Sequence, residues 1–492
     1  MSLILALDQS TSATKAVLFD ARGNVLDKAA RAHRQIYPQP GWVEHDAGEI
    51  WRKVLAVIRE IAGRNRKQLS RLAALSIANQ RETVLVFDRK TGRPLDHALV
   101  WQDRRGDAIC ARLVRQGREK SVRAKTGLKI DTYFSGSKIR WLVENRPAIA
   151  ARLKNGEAVV GTMDAYLIHR LTGGSVFATD FTNASRTLLF DVGKLKWDAE
   201  LCRLFRVPPQ ALPEVRESSA QFGETDANGL LPKRIPIVGV MGDSQASLFA
   251  QRCFVSGTAK ATFGTGTSVL LNLGDQLRRS EKGAVTALAW VWRRQPTYAF
   301  EGLINFSAAT LEWLKNQLGL IRSAAEVEKL ATSIADNGGV YLVPAFAGLS
   351  APHWAPEARA AIVGMTAHTH RAHLVRAAQE AIAYQIRDVL DMMRADAKIK
   401  LRSLHADGGP TRNRFLMQFT ADITGVELAV SEIAESSAWG AAMNGWLGLG
   451  IYKSPADFSR LPCKQKIFRP RMKAAEVKKL LSAWRAAVKR VL

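Results

Sequence analysis

The chain has 492 residues, 47% hydrophobic and 24% charged, with a formal net charge of +26, a balance that excludes a disordered chain and a length that predicts two large domains with a cleft between them. No apolar run approaches the roughly 18 residues of a membrane span, and the stretch from Met1 to Asp8 lacks the positive region of a signal peptide, so a cytoplasmic protein is expected. The four cysteines, Cys110, Cys202, Cys253 and Cys463, stand too far apart for a CxxC or a metal-ligand spacing, which predicts buried, reduced thiols.

The first thirty residues alternate apolar and polar blocks. Leu3 to Leu7 is apolar, Asp8 to Thr14 polar, Lys15 to Phe19 apolar, and Asp20 to Asn24 a turn before Val25 and Leu26, which reads as strand, loop, strand, turn, strand. The stretch from Asp8 to Lys15 is rich in hydroxyls, with a carboxylate at one end and a cation at the other, so it can hold a phosphate and its metal. A second unit of this character begins near Ile235: the apolar run Ile237 to Met241 leads into Gly242 and Asp243, and a Gly/Thr-rich stretch from Lys260 to Ser268 precedes Val269 to Leu271. Two such units half a chain apart predict two related halves, residues 1–247 and 248–492. Helical periodicity then covers Leu374 to Met393. A strand-like Leu404 to Ala406 enters Asp407-Gly408-Gly409-Pro410, and a further helix spans Arg414 to Ile423. The tail from Lys464 to Arg490 sets many Lys and Arg against the single acid Glu476, while Val477, Leu480, Leu481, Trp484 and Val488 share one helix face. A terminal helix docked by that stripe, with its cations in water, is expected, and nucleic acid is not the expected partner.

Phosphoryl transfer needs donors around the phosphates, a carboxylate for the metal and a base near the acceptor hydroxyl. No GxxxxGK[ST] motif occurs, which disfavours a P-loop. The two hydroxyl-rich stretches are the alternative cradle, and the acid associated with each, Asp8 and Asp243, supplies the pair that the metal and base roles require.

Long segments of the chain resemble one family. They include Tyr37 to Asp46, Asn79 to Thr83, Val100 to Arg105, Thr179 to Thr187 and Val343 to Leu349. Tyr133 to Asn145 meets the family's first signature in full, with Ser135, Lys138 and Trp141 in place; Ala360 to Glu380 meets the second except that Gln379 stands where an apolar residue is usual. By these residues the chain resembles the FGGY carbohydrate kinases and, among them, is most similar to those that phosphorylate glycerol. The resemblance implies an α/β fold of two actin-like, hexokinase-like (ribonuclease H-like) domains closing over ATP, Mg2+ and a small polyol or sugar, and is compatible with a homodimer or higher homo-oligomer.

Carried over by position, Asp8 is implied as the metal-associated carboxylate. Thr11, Ser12 and Lys15 line the first phosphate loop, with Lys15 where an arginine is usual, so that the charge is kept and the bidentate fork lost. Thr265 and Gly266 match the second phosphate loop, and Gly409 and Asn413 the adenosine site. Ala308 replaces a glycine and Glu312 a glutamine beside the nucleotide. On the acceptor side Arg81, Glu82, Trp101, Tyr133 and the base Asp243 match, whereas Ser244 stands for a glutamine and Ser268 for a phenylalanine. Losing the ring removes on the order of 3 kcal/mol of apolar contact and leaves hydroxyl-lined space, which favours a four- or five-carbon polyol or ketose as the alternative acceptor. The reading from another class, a non-catalytic regulator on the same scaffold, rests on Ala308, Glu312 and the basic tail.

Overall fold

The computed structural model describes residues 2–433 and 435–492. In the first half, strands β1 (Leu3–Gln9), β2 (Ala13–Asp20), β3 (Val25–Ala32), β4 (Leu72–Asn79), β5 (Gln221–Thr225) and β6 (Ile235–Gly242) form one sheet, in the order β5-β6-β4-β1-β2-β3. The hairpins β1–β2 and β2–β3 are antiparallel, while β1, β4 and β6 run parallel. β1 and β4 lie in the middle of the sheet and carry near-continuous apolar runs, as strands covered on both faces do. Helix α1 (Ala47–Arg64) covers one face through Ile50, Val54, Val57, Ile58 and Ile61.

The second half repeats this plan. β7 (Thr258–Phe263) and β8 (Thr267–Gly274) make the hairpin, β9 (Val285–Trp292) and β10 (Gln295–Ile304) extend it, and β11 (Ser403–Asp407) and β12 (Leu428–Ser431) add parallel strands beyond β7. β13 (Gln465–Phe468) closes that edge. Both sheets thus combine an antiparallel meander with parallel strands, the two-domain α/β plan expected from the sequence.

The strands run further than the apolar blocks suggested. Asp8 and Lys15 lie on β1 and β2 and face each other across the hairpin, so the connecting loop is only residues 10–12. The second stretch shortens likewise: Lys260 lies on β7 and Ser268 on β8, and residues 264–266 turn between them. Backbone pairing absorbed these polar residues because sheet registry depends on the ladder rather than on side-chain polarity alone.

Three additions position the site. A small sheet of Glu44–His45, Val84–Asp88, Ala98–Leu99 and Ala158–Thr162, with helix α2 (Ser135–Asn145), grows out of the first half. Helix α3 (Asp243–Ala250) leaves the end of β6, and helix α4 (Ala308–Asn316) follows β10. Later in the chain come α5 (Arg371–Ala397), α6 (Arg414–Thr424), α7 (Ser436–Gly448) and α8 (Ala474–Lys489). α7 crosses back to seal the first sheet beside α3, so closely that a Cβ on Gly440 would lie 1.8 Å from the Ala246 carbonyl oxygen. α8 docks through Leu481, Trp484, Ala487 and Val488, with Val477 and Leu480 half-buried beside them. Among the described residues no helix is long and apolar enough to cross a membrane.

Candidate active site

Asp243 is the first residue of α3, at the end of a fully buried strand segment, so its carboxylate is fixed where β6 stops. The Ser244 amide donates to Asp243 Oδ1 at 2.7 Å, and Arg81 Nε lies 3.4 Å from the same oxygen. The Asp243 side chain is still 35% exposed, so the carboxylate opens to solvent. Burial of its surroundings raises the carboxyl above its ordinary value, while Arg81, the Ser244 amide and Lys260 hold the rise back. A carboxylate with a raised proton affinity that a ligand can reach suits a general base.

Arg81 and Glu82 follow the end of β4 and precede the strand Val84–Asp88. Glu82 sits at φ 60°, a left-handed conformation that side chains other than glycine adopt at a cost of about 1–3 kcal/mol. The backbone is locked there because the Ser135 hydroxyl donates to the Glu82 carbonyl at 2.8 Å. Trp101 follows the strand Ala98–Leu99, and Tyr133 precedes α2. Their rings meet edge to face at 5.5 Å between centroids. Lys138 is buried and donates to the carbonyls of Thr132, Tyr133 and Phe134 at 2.6, 3.0 and 3.1 Å, which fixes the Tyr133 turn. A cavity of about 420 Å³ beside the rings is lined from both halves, by Trp101, Tyr133, Phe134, Leu303, Asn305 and Ser350 among others. The larger hollow of about 870 Å³ lies under α8 and includes none of these residues.

The loop of residues 10–12 and the ring pair are directly joined, since Trp101 Nε1 donates to Thr11 Oγ1 at 3.0 Å. Ser12 is exposed at the loop tip. Lys15 Nζ lies 3.9 Å from Asp8 and 2.8 Å from Glu435, so it ties the first hairpin to the segment before α7. Burial pushes the Asp8 carboxyl up to about 7 against the pull of Lys15, with Asp243 and Glu435 adding to the rise. An oxygen donor in that state would gain from a hard cation. Among the described residues no three His, Cys, Asp or Glu side chains cluster as an all-protein metal cage. A lone carboxylate of this kind fits Mg2+, which is commonly held by one or two carboxylates together with phosphate oxygens and water.

In the second half Thr265 and Gly266 turn between β7 and β8. The amides of Ser307 and Ala309 donate to the Thr265 carbonyl, and that of Ala308 to the Gly264 carbonyl, at 2.9 to 3.1 Å, so α4 starts against this turn. Gly266 cannot be replaced without displacement, because a Cβ there would sit 2.4 Å from the Ile304 carbonyl oxygen. Glu312 is exposed on α4. Gly409 is open to solvent, and a Cβ added there would meet nothing within 4 Å; its neighbour Gly408 packs on Phe263. Asn413 caps α6, accepting from the Leu416 amide at 2.9 Å, and its Nδ2 donates to Gln379 Oε1 at 2.6 Å. The polar Gln379 therefore has a partner in Asn413.

Arg81 reaches the second half through Glu301. Ser268 Oγ donates to Glu301 Oε1 at 3.3 Å, and Arg81 Nη2 donates to the same oxygen at 2.7 Å. Ser244 is half-buried next to Asp243. Sequence reasoning did not assign Glu301, Arg186, Lys260 or Glu435. Glu301 had a usable signal, a lone acid inside the apolar strand Tyr298 to Ile304; Arg186 and Lys260 are ordinary cations buried only by the fold, and Glu435 is a half-buried acid that the fold brings to Lys15.

Residues 3–250 match the model of the N-terminal domain of the FGGY family of carbohydrate kinases, and residues 259–448 that of its C-terminal domain. The chain is 44% identical over 489 residues to glycerol kinase 1 of Thermotoga maritima, covering 99% of each. It is 46% identical over 490 residues to the glycerol kinase of Carboxydothermus hydrogenoformans, covering 99% of this chain and 97% of the other. Among solved structures, Plasmodium falciparum glycerol kinase with ADP superposes with a TM-score of 0.94 at 36% identity, covering 100% of this chain and 98% of the other. A ligand-bound xylulose kinase from Lactobacillus acidophilus shares the fold, at a TM-score of 0.91 and 20% identity over 100% and 98% of the two chains.

Proposed function

Because the chain belongs to the FGGY family of carbohydrate kinases, we propose that it transfers the γ-phosphoryl group of ATP to a primary hydroxyl of glycerol, with Asp243 as the base. The observation that carries this reading is the Asp243 carboxylate, open to solvent, held 3.4 Å from Arg81 and electrostatically coupled to Asp8. Asp243 takes the acceptor hydroxyl proton as the acceptor oxygen bonds to the γ-phosphorus and the bond to the ADP oxygen breaks, so ADP leaves with the electron pair. Arg81 and Glu82 donate to and accept from the acceptor hydroxyls, and Trp101 and Tyr133 cover its C–H faces. Thr11, Ser12, Lys15, Thr265 and Gly266 surround the phosphates, while Ala308, Glu312, Gly409 and Asn413 flank the rest of the nucleotide. Asp8 would hold a magnesium ion, which would supply charge neutralisation for the phosphates. The halves divide at residues 247 and 248, where α3 leads from one sheet to the other. Asp243→Asn is expected to lower turnover about 10²-fold or more; near-normal turnover would remove the base assignment.

One observation favours a second acceptor class: the Ser268 hydroxyl reaches Glu301, the partner of Arg81, and Ser244 stands half-buried next to Asp243, so both put hydroxyls where the family has larger side chains. A four- or five-carbon polyol would use those hydroxyls. Initial rates with glycerol, tetritols, pentitols and small ketoses separate the two, since a wide margin for glycerol eliminates the longer acceptor.

A further inference from the structure

Glu301 and Arg186 are both fully buried, yet neither is needed to explain the fold. Glu301 lies on β10 of the second half; its ion-pair partners, Arg81 and Arg186, lie in the first. One carboxylate oxygen accepts from Arg81 Nη2 at 2.7 Å, and the other lies 2.5 Å from Arg186 Nη2. Arg186 Nε in turn donates to Glu82 Oε1 at 2.6 Å. Four charged side chains, two of each sign, therefore form a closed chain, Glu82–Arg186–Glu301–Arg81, each at most 4% exposed. Such a buried set adds little stability, because well-packed apolar side chains usually do as well. Its geometry serves something else: both ends of the chain are the neighbouring residues Arg81 and Glu82, and Arg81 also reaches Asp243.

We propose that Glu301 and Arg186 are positioning residues for the acceptor, holding Arg81 and Glu82 in the orientation that grips its hydroxyls and tying that grip to the second half. The inference rests on the acceptor reading above. Arg186 uses its fork to reach two carboxylates at once, which a lysine cannot reproduce. Glu301 brings a second-half carboxylate onto Arg81, so this part of the grip is complete only when the halves are together. The Arg186–Glu301 contact is an ion pair, since Arg186 Nη2 and Glu301 Oε2 have no hydrogen-bond partner of good geometry among the described residues, whereas Arg186 Nε and Arg81 Nη2 donate full hydrogen bonds to Glu82 and Glu301.

The test compares wild type with Glu301→Gln and Arg186→Lys, measuring kcat and KM for glycerol and for ATP on folded protein. Both variants are expected to raise the acceptor KM about tenfold or more, the usual scale for losing a charged hydrogen bond, with the ATP KM within about twofold. If Glu301→Gln does not fold, Glu301→Asp, which keeps the charge and shortens the reach, is expected to give the same split. Acceptor KM values unchanged in the variants, with only the fraction of active enzyme reduced, would overturn the inference, as would an equal rise in both KM values. A wild-type enzyme that phosphorylates no polyol would overturn the acceptor reading itself, and the inference with it.

Discussion

At Asn413 and Gln379, chemistry is set by single contacts. The polar Gln379 breaks an otherwise apolar signature position, and the fold gives it a use: its Oε1 accepts from Asn413 Nδ2, while its own amide donates to the Val327 carbonyl at 3.0 Å. Asn413 is thereby fixed at both ends of its amide. Gln379→Leu leaves that Nδ2 without its partner, and one neutral hydrogen bond is worth about 1 kcal/mol, so the ATP KM should rise several-fold while the acceptor KM stays put. Steady-state titration of each substrate checks this; an unchanged ATP KM means that Asn413 either needs no such support or does not meet the nucleotide. The two departures proposed to flank the nucleotide look milder in place than in sequence. Glu312 is exposed to solvent, and Ala308 contributes a backbone amide that any residue would supply.

Among the elements, α8 and α7 carry the clearest consequences. Trp484 of α8 is 1% exposed, stacks on Tyr384 of α5 at 5.2 Å and donates to Asp388 at 2.7 Å. Trp484→Ala should cost about 3–5 kcal/mol in denaturant unfolding, the range for deleting a large buried ring. Burial pushes the Asp388 carboxyl up to about 6 from 3.8, despite the Trp484 donor. The folded protein then binds this proton at a pH where the unfolded chain does not. Charged Asp388 therefore lowers stability above pH about 6, and that loss disappears as the pH falls toward 4. Asp388→Asn should accordingly be more stable than wild type at pH 7.5, keep only part of the advantage at pH 5 and lose most of it by pH 4; an equal difference at pH 7.5 and pH 4 would show that another group is responsible. In α7 the Gly440 contact leaves no room, so Gly440→Ala should force α3 and α7 apart at about 1–3 kcal/mol, and, because α3 begins with Asp243, reduce kcat as well.

The net charge of +26 belongs to the whole molecule, since its cations are spread over many surface segments and α8 uses its apolar side for docking. A field of this sign draws an anionic nucleotide and ignores a neutral polyol. Raising the salt from about 20 to about 300 mM should therefore raise the ATP KM several-fold and leave the acceptor KM nearly constant, because the screening length falls to a few ångströms. Parallel shifts in both would assign the effect to stability. Much of the architecture was legible in advance. The block pattern around Leu3 to Leu26 and its echo after Ile235 announced two related hairpin-led sheets, and the 3.6-residue periodicity of α5, α6 and α8 placed those helices to within a few residues. Asp8 and Asp243 stood out in the sequence as the acids beside two hydroxyl-rich stretches, whereas Arg81 and Trp101 were implied by the family resemblance. Loop lengths were not legible, because the backbone ladder continued through Asp8, Lys15, Lys260 and Ser268 regardless of their polarity. Glu301 and Arg186 escaped for a deeper reason. Local sequence determined which residues could carry charge; only tertiary packing decided which charges would be buried together, since that depends on a strand of the second half closing within a few ångströms of turns far away in the chain.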